Sequence, residues 1–227
     1  LVVAAIGQDV TNPGVRLMKK LLSEHDFQST QSNDPVLLSK DLYAKNQLFL
    51  VINARDQSQL SATVESKKEL IRDQYEEQFI NRQSKYLFDS HRREDVEERF
   101  INQYGWTIKV PWGWEVIRNS PDSNFVWLGR ELPFQWISIH WQIGNIITDE
   151  LTIGDYVWNF PKTYYGNIRF HDHKFSMEKM YFNSYRAWMC EGIWEFSDDN
   201  TAQGGPFRYY LFYDTNTNRT FQINTIL

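Results

Sequence analysis

The chain has a single cysteine, Cys190, so it can form no internal disulfide and no cysteine metal cluster. No apolar run approaches the roughly 18–20 residues that a membrane-spanning helix needs. There is no basic excess either: 24 Lys and Arg stand against 29 Asp and Glu, for a net charge of −5. A nucleic-acid partner requires a concentrated basic stripe, whereas stretches such as Lys67-Lys68-Glu69 and Arg72-Asp73 cancel locally, so no nucleic acid is expected. No Gly-x-Ser-x-Gly elbow occurs. Gly204-Gly205-Pro206 lacks the lysine and helix start of a phosphate loop and reads as a turn. No pattern requires a cofactor. Tryptophan is missing from the first 105 residues, and all nine lie between Trp106 and Trp194.

That asymmetry divides a charged, helix-rich front, residues 1–105, from an aromatic, strand-rich back, residues 106–227, either as two lobes or as one continuous domain. Leu1–Ile6 is apolar but has no basic flank or small-residue cleavage site, so it reads as a buried strand and not as a signal peptide. The sequence opens inside an element without Met, and a segment upstream of it is expected. Val15, Met18, Leu21 and Leu22 share a helical face, and residues 25–35 read as polar and exposed. The unbroken run Leu48-Phe49-Leu50-Val51-Ile52 has the pattern of a strand covered on both faces. Asp56 or Ser58 then caps a long helix with Leu60, Val64, Ile71, Tyr75, Phe79 and Tyr86 in one stripe. A break at Asp89-Ser90 and a second helix through Val96, Phe100 and Tyr104 follow, with Gly105 as its C-terminal cap.

From Trp106 the period changes to two, predicting strands at 106–110, 114–118, 125–131, 135–143, 175–182 and 186–196, and a final hairpin of 207–213 with 219–226. A short helix through Ile153, Tyr156, Val157 and Phe160 is expected to stop before Pro161. The fold class is therefore α+β, with amino-terminal strands and long amphipathic helices, then an antiparallel sheet crossed by one short helix.

Alternation sorts the aromatic residues by face. Trp188 and Trp194 share a face with Cys190 and Gly192 and read as core, as does Trp141 with Ile137 and Ile139. Trp136 shares its face with Ser138 and His140 and reads as open to solvent, Trp158 falls off the helical stripe, and Trp112 flanks a turn glycine. Trp112, Trp136, Trp158 and His140 are thus the candidate binding residues. His171 and His173, two apart on a strand, are the candidate metal ligands, without a third ligand at a motif spacing. Glu191 and Glu195 share a strand face about 13–14 Å apart, beyond the roughly 5–9.5 Å of paired glycosidase carboxylates. Cys190, in an apolar strand without a nearby His, reads as a buried thiol.

Several motifs carry a family resemblance. They are Tyr43-Ala44-Lys45-Asn46-Gln47, Asn53-Ala54, Val110-Pro111-Trp112-Gly113-Trp114 and Trp127-Leu128-Gly129-Arg130-Glu131, then Trp158-Asn159-Phe160-Pro161-Lys162, Cys190-Glu191-Gly192-Ile193-Trp194 and Gly204-Gly205-Pro206-Phe207-Arg208. Over about residues 40–227 the chain resembles a family of Bacteroidota envelope lipoproteins that share a domain of unknown function. The resemblance implies a secreted, periplasm-facing protein, held to a membrane only by a lipid on a cysteine upstream of Leu1. It implies no activity and no catalytic residues. The back half is also similar, at the level of fold, to Mog1/PsbP-like domains, and fold does not fix function.

Three functions are compatible with these patterns. The first is a non-enzymatic envelope protein that binds another envelope protein or a glycan through exposed aromatic surface. The second is a glycan or cell-wall hydrolase, which requires two of Glu131, Glu191, Glu195 and His140 to converge in one cleft. The third is a structural component of a lipoprotein assembly, docked through the amphipathic helices.

Overall fold

The unbroken apolar run at Leu48 becomes the central strand of a three-stranded sheet. The computed structural model describes residues 1–89, 91–197 and 203–227 and has two compact units, Leu1–Pro111 and Trp112–Leu227. Together they are α+β, with five α-helices and ten strands among the described residues.

In the first unit, strand β1 (Val2–Ile6) is followed by helices α1 (Pro13–Leu21) and α2 (Glu24–Ser32), strands β2 (Val36–Lys40) and β3 (Leu48–Ala54), and helices α3 (Gln57–Phe88) and α4 (Glu94–Tyr104). β3 lies between β1, parallel to it, and β2, antiparallel to it. Every residue of β3 is buried. Phe49 and Val51 pack with Val15 and Met18 of α1 and Phe27 of α2 on one face. Leu50 and Ile52 meet Leu60, Ile71 and Tyr75 of α3 on the other.

Side-chain caps set the helix starts. Asn12 accepts from the Gly14 amide with Pro13 in the first turn, Ser23 accepts from Asp26, and Asp56 accepts from the Gln59 amide at 2.8 Å. Asp56→Ala is expected to destabilise the first unit by removing this cap, read as a lower urea midpoint, and an unchanged midpoint would remove the capping role.

The first unit departs from the sequence pattern in three places. Residues 25–35, expected to be exposed, include most of α2, whose Phe27, Thr30 and Gln31 are buried. Asn53 Nδ2 secures that helix by donating to Phe27 O at 3.1 Å and Thr30 Oγ1 at 2.8 Å. The α3 stripe is buried only in part: Leu60, Ile71 and Tyr75 reach the sheet, while Phe79 is 61% and Tyr86 80% exposed. The cause is length. The 32 residues of α3 extend about 48 Å and the seven of β3 about 23 Å, so the helix outruns its sheet. Third, residues 106–110 form no strand; an isolated bridge joins Arg92 to Pro111, and Trp106 stacks on Tyr104 with ring centroids 5.8 Å apart. Asp89 caps α3, and Ser90 of the expected break lies outside the described residues. Gly105 caps α4 at φ +75°, a conformation that glycine adopts without strain.

The second unit comprises β4 (Glu115–Ser120), β5 (Phe125–Glu131), β6 (Phe134–Ile143), α5 (Glu150–Tyr164), β7 (Ile168–Phe182), β8 (Tyr185–Phe196), β9 (Gly204–Asp214) and β10 (Arg219–Ile226). They form one antiparallel sheet in the order β4-β5-β6-β10-β9-β8-β7, so the chain leaves the meander through α5, builds the far edge and returns to pair with β6. Ile153, Val157 and Phe160 of α5 bury against Phe125, Tyr209, Leu211 and Ile226 of the sheet. Val126, Leu128, Ile139 and Trp141 alternate onto the opposite face and are also buried.

Two turn signals are corrected here. α5 does not stop before Pro161 but continues to Tyr164. Proline in this last stretch removes a single helical bond, and the amides of Tyr165 and Gly166 both donate to Pro161 O, closing the helix end. Gly204-Gly205-Pro206 is the start of β9, not a loop. Gly205 lies so close to the Leu227 carbonyl that a Cβ would overlap it, which accounts for glycine there.

Candidate functional site

The face of the sheet under α5 carries a polar row inside an aromatic core. The strand register places Ser138 and His140 of β6 beside Asn224 and Gln222 of β10, with Tyr209 of β9 opposite Asn224. Tyr165 lies 2.7 Å from Ser138 Oγ and donates to Asn224 Oδ1 at 2.8 Å. Tyr209 donates to Gln222 Oε1 at 2.7 Å, and Gln222 Nε2 lies 3.1 Å from His140 Nδ1. Tyr209 is wholly buried, and desolvation holds its phenol well above the ordinary range, so it keeps its proton. With its Oε1 accepting from Tyr209, the Gln222 amide directs its nitrogen at His140 Nδ1, and in that arrangement Nδ1 accepts and the imidazole hydrogen sits on Nε2. Burial lowers the His140 pKa to about 4, so the ring is neutral at neutral pH. His140, Gln222, Asp155, Asn159 and Tyr164 line a groove of about 460 Å³ on one side of α5.

A second recess opens at the end of the sheet where the β7–β8 and β9–β10 turns meet the loop after β6. It holds about 770 Å³ and is lined by Trp188, Tyr181, Tyr185 and Tyr213 together with Lys179 and Arg186. Among the described residues no carboxylate lines it. Lys179 Nζ lies 4.7 Å from the Trp188 ring centroid, a cation–π contact, and 3.7 Å from Glu150. Trp188 is half-buried and takes part both in the core and in this recess.

A third, shallow cleft lies on the edge strand β7, lined by Trp158, Arg169, His171, Asp172 and Glu195. Arg169 Nε donates to Glu195 Oε1 at 2.7 Å, so that carboxylate is already engaged. The β7–β8 register shifts between His171 and Ser176, with Lys174 at φ +60°. His171 Nδ1 accepts from the His173 amide at 3.2 Å, and the two imidazole rings stand 6.5 Å apart. Among the described residues no three His, Cys, Asp or Glu side chains are grouped to hold a metal ion.

The sequence-derived candidates do not gather in one place. Trp112 stands 74% exposed in the turn before β4. Trp136, expected to face solvent, is partly buried in the core, edge-on to Trp127 at 4.6 Å and against Phe134 at 4.2 Å. Its neighbours Ser138 and His140 are polar yet buried, because they hydrogen-bond to Tyr165, Asn224 and Gln222 instead of water. Trp158 packs on Phe175 at the edge cleft, and His140 lines the groove beside α5. Glu191 pairs with Arg208, Glu131 is exposed, and by register Glu191 and Glu195 face away from His140. Cys190 is buried, its pKa pushed up to about 12, as a core thiol. Sequence reasoning placed Trp188 in the core, which it does pack against, and did not foresee its place in the second recess. The usable signal was its cross-strand cation Lys179 and the tyrosines around it.

Searches with the chain find no matching protein-family model and no matching curated protein.

Proposed function

We propose that the protein is a non-enzymatic binding protein of the cell envelope whose carboxy-terminal unit takes an acidic glycan in the recess around Trp188. One observation carries this reading: the largest recess described combines the aromatic side chains of Trp188, Tyr181 and Tyr213 with Lys179 and Arg186 and, among the described residues, has no lining carboxylate. Aromatic faces stack on the apolar side of sugar rings, and the two cations complement carboxylate or sulfate groups. The periplasmic placement and the lipid anchor are supported by the resemblance of its motifs to envelope lipoproteins. The hydrolase reading has less support, since Glu191 and Glu195 are held by arginines and face away from His140. A structural role in an assembly is favoured by one feature, the exposed Phe79, Ile80 and Tyr86 of α3.

Binding to oligogalacturonate, heparin-derived oligosaccharides and neutral cello-oligosaccharides tests the proposal. The acidic oligosaccharides are expected to bind, to weaken as salt rises, and to lose about tenfold in affinity in Trp188→Ala. Trp112→Ala is expected to bind as the parent does. Equal affinity of Trp188→Ala and the parent, or preference for the neutral chains, would overturn the reading.

A further inference from the structure

The groove between α5 and strands β6 and β10 is chemically unlike the recess around Trp188. On its floor His140, only 9% exposed, has Nδ1 occupied by Gln222 and its Nε2–H without a hydrogen-bond partner among the described residues. On its wall Asp155, Asn159 and Thr163 follow at four-residue spacing, so α5 presents them as one ridge. Tyr164 adds an aromatic face, its ring centroid 5.1 Å from that of His140. We propose that this groove binds an uncharged sugar, with the His140 Nε2–H donating to one hydroxyl and residues of the α5 ridge hydrogen-bonding to others.

Charge and hydrogen-bond polarity select that class. An anion would meet Asp155 with no lining cation among the described residues. A cation would meet the fixed donor hydrogen of His140. A ligand suited to both the His140 donor and a carboxylate acceptor must both donate and accept hydrogen bonds, as hydroxyl groups do. The neutral state of His140, held by burial, keeps that donor available without adding charge. The inference stands on the groove's own lining and does not depend on the recess around Trp188.

The test is a titration of the ¹⁵N-labelled chain with glucose, galactose and N-acetylglucosamine, with acetate and methylammonium as charged controls. At least one sugar is expected to shift the His140 Nε2–H signal and the α5 amides, saturating in the millimolar range. Asn159→Ala, a change at an exposed position that leaves the core intact, is expected to weaken this binding about tenfold. Trp188→Ala is expected to leave it unchanged, which separates the groove from the recess. The proposal is overturned if no sugar shifts these signals, if acetate or methylammonium shifts them more, or if Asn159→Ala binds as the parent does.

Discussion

Truncating Phe160 to alanine is expected to lower the stability of the second unit by about 3–5 kcal/mol. The side chain is 1% exposed and sits where α5 meets the sheet. Its ring centroid lies 4.7 Å from Tyr164, 5.5 Å from Tyr209, 5.8 Å from Tyr165 and 6.3 Å from Phe125. Those partners also hold or flank the polar row, so a cavity there loosens the hydrogen bonds above it as well as the packing. A loss of that size is a large share of the roughly 5–15 kcal/mol by which a domain of ordinary stability stays folded. Urea unfolding followed by tryptophan fluorescence reads it directly, because every tryptophan except Trp106 lies in this unit. Phe79→Ala, on the exposed end of α3, is the control and is expected to change stability by less than about 0.5 kcal/mol. Similar losses in the two variants would contradict the placement of the core.

The second large effect is a dependence on pH set by His140. In the folded protein its pKa is lowered to about 4 by burial, and in the unfolded chain it returns to the ordinary value of 6.5. Between those values the unfolded state binds a proton that the folded state does not. Stability is therefore complete above pH 6.5 and falls as the pH drops towards 4, by up to about 3 kcal/mol. Protonation at Nδ1 would also set two donors against each other, since Gln222 Nε2 already points there. The capping aspartates act at lower pH. Asp56 and Asp149 have depressed pKa values from backbone amides donating to them, so their contribution is present above the ordinary carboxylate pKa and is lost below it. Thermal unfolding from pH 8 to pH 4 is expected to show a steep decline in the parent and a flattened one in His140→Gln. Parallel profiles would show that His140 does not carry the dependence.

Periodicity made the main elements legible where a strand or helix has one dominant environment. The run at Leu48 was readable as doubly covered because no polar residue interrupts it, and β5, from Phe125 to Glu131, matched its alternation. Asp56 and Gly105 announced their helix ends through capping chemistry that depends only on local sequence. α2 was not legible: its single buried aromatic, Phe27, sits among polar residues, and Thr30 and Gln31 are buried through hydrogen bonds. The same effect misplaced Trp136. Ser138 and His140 mark a solvent face when polarity is read alone, but partners on β10 and at the end of α5 satisfy them inside the unit. Trp188 was hidden for the opposite reason. Its strand face is core along most of its length, and the core gives way to the recess only where the sheet runs past α5, a boundary set by tertiary packing and not by alternation.

Where an acidic oligosaccharide contacts the chain is the most direct measurement. Chemical-shift mapping with oligogalacturonate is expected to place the perturbed residues around Trp188, Tyr181, Lys179 and Arg186. Perturbations confined to the edge cleft at Trp158 and His171, or to Phe79 and Tyr86 on α3, would contradict the proposed binding site.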